Sequence, residues 1–489
     1  MAFNSVSFFV FFPVVTLLYF IVPHQFRWFL LLVASCVFYS FFIPAYLLIL
    51  CGLIIVDYTA ARLIAGADTN RRKLYLLPSI LSTCLALFIF KYFNFFNDNI
   101  KVAAGFFHWN YSVEALRLAL PIGLSFHTFQ SLSYVVEVYR GRQHPEKHIG
   151  MYALYVMFYP QLVAGPIERP QNLLHQFYEK HTIEYGRITL GLKQMLWGFF
   201  KKMVIADNLA MYVNEVYHHP QDYNGNLLLL ATWFFALQIY GDFSGYSDIA
   251  IGAAKVMGFR LTKNFHQPYF ARSFTEFWGR WHISLSTWFR DYLYIPLGGN
   301  KVSTLRWTMN ILIVFLVSGL WHGANWTFVI WGLLHGLFLL TERFTLTIRN
   351  RFSQFNGLRS WRMLKSILSV FITFNLVSFA WIFFRAGDIA AATRIVTSLR
   401  FHPADFSSDF LALWQQLAGQ QLHPLLPQFL IALVMLFMMA EWMIESKQVP
   451  LLQSLLPKAI RWSIYYVLIA MIVVFGVYES APAFIYFQF

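Results

Sequence analysis

Hydrophobic residues run along this chain in long blocks, not at alternating positions. Apolar segments fall near 6–23, 28–43, 45–61, 76–96, 116–136, 150–165, 188–216, 227–257, 307–320, 324–341, 364–384, 427–444 and 463–478. Stretches such as "LLLVASCVFYSFFIPAYLLILCGLIIV" and "AIRWSIYYVLIAMIVVFGVY" meet the roughly 20 apolar residues that a helix needs to cross a bilayer. The pattern predicts an all-α polytopic membrane protein with about a dozen spanning or re-entrant helices. Between about 160 and 300 the blocks give way to "YPQLVAGPIERP", "YGDFSGYSDIAIG" and "NFHQPYFARSFTEFWGRWHISLSTWFRDYLYIPLGGN". These are aromatic, punctuated by Gly and Pro, and carry charge. Irregular backbone at membrane depth survives only when buried in protein or lining a watery cavity. Ionisable residues there are functional candidates, so this middle third is expected to build a cavity.

Composition agrees: 58% of the 489 residues are hydrophobic and 12% charged, against about 25% charged in a soluble domain. The net charge of +14 fits cytoplasmic loops and anionic headgroups, and an anionic cytoplasmic substrate, better than nucleic acid. The N-terminus lacks a basic region and a small-residue cleavage site, so it reads as a retained first span. Cys36, Cys51 and Cys84 lie in apolar runs without paired spacing, which argues against disulfides or a metal site. Basic connections set an expected orientation. Arg62, Arg71, Arg72 and Lys73, then Arg140, Arg142 and Lys147, then five Arg and one Lys between 342 and 365, are placed in the cytoplasm. Counting spans from these loops puts both termini outside.

Two histidines stand out. Taken as one helix, "FWGRWHISLSTWFRDY" puts Trp281, Leu285, Trp288 and Tyr292 on one stripe and Arg280, Ser284, Thr287 and Asp291 on a polar face. His282 falls at the edge of the aromatic face. Such a helix suits the membrane interface, or brings His282 into the cavity. His322 follows the apolar run 311–320, between Trp321 and Gly323. That run places it deep in the slab, where an imidazole needs a partner and is suited to proton transfer near neutral pH. "GLLHG", holding His335, echoes "GLWHG", but His335 is read as structural. Asp242 and Asp248 are read as members of a structural network, and Glu168 and Arg169 as a pair that pins a turn. Arg280 and Arg290 suit either an anionic acyl donor or lipid headgroups.

These residues carry a resemblance. "EFWGRWHISLSTWFRDYLYIPLGGN" followed by "SGLWHGANW", together with "FHTFQSLSYVVEVYRG", "FYPQLVAGPIERP" and "GDFSGYSDIAIG", resembles the membrane-bound O-acyltransferase superfamily. Within it, the chain resembles the branch of alginate O-acetylase, peptidoglycan O-acetyltransferase and the teichoic acid D-alanyl transfer protein. The likeness runs from the first span to "FIYFQF" and is weakest over 388–425. It implies one membrane domain over 1–489, folded as a helical ring around a central funnel, with 160–345 as its funnel-lining core. Residues 388–425 are read as an extracytoplasmic loop region, and the span count makes 479–489 an extracytoplasmic aromatic tail. By matching position, His322 takes the role of the catalytic histidine and His282 that of the second signature residue. The activity implied is transfer of acetyl from a cytoplasmic donor, acetyl-CoA or another acyl thioester, to an envelope polysaccharide such as alginate or peptidoglycan. The site is the inner membrane of a bacterium, and the partner a secreted, SGNH-like acetyltransferase. No permanently bound cofactor, metal or nucleic acid is implied.

Acyl transfer needs a base on the acceptor hydroxyl and stabilisation of an oxyanion. His322 suits the first task and His282 the second. A transporter or flippase, a scaffold of a polysaccharide secretion complex, and a D-alanyl transfer protein are the competing readings. The tail raises a further possibility. Pro482 stops the last helix, and the aromatic end then either packs on the ring or returns into the funnel with Tyr486 as an acyl relay.

Overall fold

The computed structural model describes residues 1–163, 165–353, 359–419, 427–447, 457–478 and 484–485. Among them the secondary structure is helical throughout, with no strand. Among the described residues, seven helices are long and apolar enough to cross a membrane: Tyr46–Gly66, Thr69–Phe106, Gly225–Met257, Thr304–His322, Trp326–Thr345, Met363–Arg385 and Lys458–Phe475. Two shorter apolar helices, Val6–Ile21 and Phe429–Met443, join them. Several expected spans are therefore shorter or bent. The expected 116–136 segment begins without helix and becomes Leu124–Tyr139, and the 150–165 segment stops at Met157. Exposed apolar side chains such as Leu48, Leu305 and Met363 are the outer faces of membrane helices. By contrast, 89% of the spanning window of Gly225–Met257 is buried, so that helix is surrounded by protein.

The chain divides into two compact units. The first comprises residues 1–195 and 247–262. Its helix Tyr46–Gly66 packs against Thr69–Leu87 and Leu124–Tyr139, and the buried Asp57 accepts a 2.6 Å hydrogen bond from Ser79 Oγ. The described residues of the expected irregular segment, 159–170, are buried apart from the half-buried Arg169. Side chains tie it to the preceding helix: Tyr155 donates to the Glu168 carbonyl at 2.8 Å, and Gln161 donates to the Tyr155 carbonyl at 2.8 Å. Glu168 does more than pair with its neighbour Arg169, because its carboxylate takes both the N–H and the hydroxyl of Thr262. Asp248 accepts from Gln194 at 3.0 Å, as a structural network requires.

The second unit comprises residues 196–246 and 263–489. The helix hairpin Thr304–His322 and Trp326–Ser353 is its closest packing. Residues 388–425, expected to be a loop, contain the helices Ile389–Ser398 and Phe406–Gly419. The tail shows Phe484 and Ile485, both buried; Tyr486 and the rest of 479–489 lie outside the described residues.

Candidate active site

The expected single helix from 277 to 292 is broken. It consists of Phe274–Arg280 and Ile283–Phe289, followed by a widened turn over Arg290–Tyr294. The break falls at His282, whose φ of 42° lies in the left-handed region, where a non-glycine residue costs about 1–3 kcal/mol. Asn264 holds it there. Its carbonyl accepts the Ile283 N–H at 2.9 Å. Its side-chain Oδ1 takes the Ser284 hydroxyl at 2.9 Å and meets His282 Nδ1 at 3.1 Å. Because Oδ1 also accepts the Ser284 N–H, it acts as the acceptor, and Nδ1 is the ring's donor. In the neutral ring the lone pair then lies on Nε2. The helical spacing of Trp281 and Trp288 gave no hint of this break, which depends on a residue 18 positions upstream.

His282 is fully buried. Phe243 meets its ring edge-on at 4.6 Å between centroids, and the Trp321 ring is 6.5 Å away. The His322 ring lies 4.8 Å from the same indole. The two expected histidines are therefore brought together around one tryptophan.

His322 is the last residue of Thr304–His322. Its ring stands edge-on to Trp331 at 4.9 Å and to Phe384 at 5.3 Å. The position depends on glycines in the hairpin. Gly319 and Gly332 face each other, and a Cβ on either would run into the carbonyl of Phe328 or Phe315. The turn is held by Asn325, whose Oδ1 accepts the Thr327 N–H at 3.1 Å and whose amide donates to the Gly387 carbonyl at 2.8 Å. His335 sits in an aromatic box, 5.0 Å from both Trp278 and Trp331. It shares Trp331 with His322, which fits a packing role.

The two arginines have carboxylate partners within the chain. Arg280 pairs with Glu276 at 2.5 Å and Arg290 with Asp291 at 2.8 Å. Arg290 also helps line an apolar cavity of about 140 Å³ with Trp278, Leu285, Phe289, Phe315 and Ser318.

Sequence reasoning did not find the charged cluster beside the site. Lys202 Nζ lies 2.8 Å from both Asp207 Oδ1 and Asp242 Oδ1, and all three side chains are buried. In a regular helix, residues five apart point about 140° away from each other. The turn Phe200–Ala206 is widened to i→i+5 hydrogen bonding, which brings Lys202 and Asp207 to one side. Gly241 and Gly245 let the neighbouring helix approach this turn, since a Cβ on Gly245 would lie 2.8 Å from the Gly198 carbonyl and 3.0 Å from the Lys202 nitrogen. "KK" beside an apolar run was the available signal, but its partners are set by the widened turn.

Asp242 reaches the tail as well: its Oδ2 accepts the Ile485 N–H at 2.8 Å. Phe484 lies on Tyr246 and Phe243, with centroids 4.7 and 5.6 Å apart. Phe243 is the ring that also touches His282.

Residues 146–385, which include both histidines, Asn264 and the charged cluster, match the profile of the MBOAT, membrane-bound O-acyltransferase family. A Pseudomonas aeruginosa protein named "Probable alginate O-acetylase AlgI" is 39% identical over 399 residues, covering 81% of this chain and 74% of its own. The Helicobacter pylori peptidoglycan O-acetyltransferase is 36% identical over 400 residues, covering 76% and 73%. The Bacillus subtilis teichoic acid D-alanyltransferase is 27% identical over 278 residues, covering 54% and 68%.

Proposed function

Because the chain belongs to the membrane-bound O-acyltransferase family, we propose that it transfers acetyl from cytoplasmic acetyl-CoA to an envelope or secreted polysaccharide, with His322 as the base. The chain is a multi-pass membrane enzyme; the donor, the polymer, the residue roles and the inner-membrane orientation are the proposal. Acetyl is favoured over D-alanyl because the acetyltransferase relatives are 36–39% identical over about three-quarters or more of the chain, against 27% over 54% for the D-alanyl relative.

The observation that supports the mechanism is the arrangement of His282 and His322 near Trp321, with Phe243 touching both His282 and the docked residue Phe484. In the proposed sequence Tyr486, the residue after Ile485, supplies the acceptor hydroxyl. His322 takes the phenol proton as the phenol oxygen bonds to the thioester carbonyl carbon. A phenol of pKa about 10 needs such a base at neutral pH. His282, held by Asn264, stabilises the developing oxyanion when its ring is protonated, or orients the donor when it is neutral. The C–S bond then breaks, and the proton passes from His322 to the departing thiolate. The aryl ester hands its acetyl to a polymer hydroxyl through a secreted partner enzyme, and the phenol is restored. Acetyl thereby crosses the membrane without the polymer entering it.

The test uses detergent-purified protein with labelled acetyl-CoA, and cells assayed for polymer acetylation. His322→Gln is expected to abolish both activities at unchanged membrane levels, and polymer acetylation near wild type would overturn the assignment. Tyr486→Phe removes only the hydroxyl; it is expected to abolish polymer acetylation while donor binding persists. Normal acetylation by this variant would remove the relay from the scheme.

A further inference from the structure

We propose that Asp242 is a positioning residue that docks the chain's own tail at the reaction site, with Lys202 and Asp207 as its buried support. The inference rests on the relay reading for its function, but not for its geometry. Phe484 and Ile485 are 4% and 1% exposed, and they are held by two different kinds of contact. One is a backbone hydrogen bond from the Ile485 N–H to Asp242 Oδ2 at 2.8 Å. The other is a ring slot formed by Phe243 and Tyr246.

The electrostatics explain why a carboxylate is used. A buried carboxylate is tolerated only when it is paired and its oxygens are supplied with donors. Asp242 faces Lys202 with Oδ1 and the tail amide with Oδ2. Lys202 is shared with Asp207 at the same 2.8 Å distance, so one ammonium serves two carboxylates. The tail N–H is thus a hydrogen-bond donor to a charged acceptor, a carboxylate paired with a buried ammonium. Hydrogen bonds of that type are roughly twice as strong as neutral ones. The dock grips the backbone of Ile485, so it does not depend on which side chain that residue carries. It also fixes register: the residue bonded to Asp242 immediately precedes Tyr486, and the ring behind Phe484 is the ring against His282.

The experiment is hydrogen exchange of the full detergent-purified chain, read by mass spectrometry over residues 484–488. It is paired with the ratio of acetyl delivered to polymer per donor consumed. Asp242→Ala is expected to speed exchange of the tail by about tenfold or more, the size set by losing a hydrogen bond to a charged group, and to lower the delivery ratio by a similar factor. Asp242→Asn keeps an acceptor for the Ile485 N–H but loses the charge, and is expected to fall between wild type and Asp242→Ala in both. Ile485→Pro removes the amide donor without touching the buried charges, and so decides the matter if Asp242→Ala does not fold; it is expected to speed exchange at 486–488. Unchanged tail exchange in Ile485→Pro, or in a folded Asp242→Ala, overturns the dock. Faster exchange with an unchanged delivery ratio overturns the positioning role. Failure of the relay is read separately: normal acetylation by Tyr486→Phe with a wild-type exchange pattern refutes the relay and leaves the dock in place.

Discussion

Alanine is a better helix former than glycine by about 1 kcal/mol, so propensity alone predicts that Gly319→Ala stabilises the helix Thr304–His322. The structure predicts the opposite. An added Cβ would run into the Phe328 carbonyl, a backbone atom that cannot rotate away, and the Gly332 Cα stands 3.4 Å from the same point. The hairpin must part by roughly half an ångström or more, and overpacking of this kind costs about 1–3 kcal/mol. After the propensity gain is subtracted, the net is a loss of roughly 0–2 kcal/mol. His322 lies three residues beyond Gly319, on the same final turn. A displacement of about 1 Å at a catalytic group can lower turnover a hundredfold, and a shift near half that size is expected to cost about tenfold. Thermal unfolding in detergent and initial rates with labelled acetyl-CoA measure the two effects. Gly52→Ala, in the helix Tyr46–Gly66 with nothing within 4 Å of the new Cβ, is the control and should match or slightly exceed wild-type stability. A Gly319→Ala protein more stable than wild type and fully active would refute the packing argument.

Two other outcomes follow from the site. Asn264→Ala strips the acceptor from His282 Nδ1 and Ser284 Oγ; orphaning a buried donor costs about 1–3 kcal/mol, so initial rates should fall roughly tenfold to hundredfold, with partial recovery in Asn264→Asp. An Asn264→Ala enzyme with wild-type rates would detach His282 from the chemistry. In membrane vesicles, labelled acetyl-CoA should be consumed only when the face bearing the basic 62–73 and 140–147 connections is exposed, and equal use from both faces would refute that orientation.

The helices of this protein were legible in the sequence because long apolar blocks admit few other structures in lipid. Blocks near 45–61, 227–257 and 364–384 became Tyr46–Gly66, Gly225–Met257 and Arg359–Arg385. The two histidines were singled out because they match the family's motif, and the structure places both rings near Trp321. The break at His282 was not, since the periodicity of 281–292 is equally good for an unbroken helix. The break comes from Asn264, which competes for the backbone of that turn. The charged cluster was hidden for a different reason. Asp242 was assigned to a network, but its partners lie on a helix with a widened turn and on a tail 243 residues away, and no local pattern encodes either.

The Lys202 cluster also bears on how the chain is built during synthesis. A lone lysine entering hydrocarbon costs roughly 2.5–3.5 kcal/mol on insertion scales. Lys202 meets Asp207 within its own stretch of helix, so this pair can form as soon as that stretch is made. Asp242 arrives with a later helix, and the Ile485 amide reaches it only after a further 243 residues have been translated. A chain that stalls in between leaves one oxygen of that carboxylate without its amide donor, so the tail contact is among the last that translation allows this cluster to make.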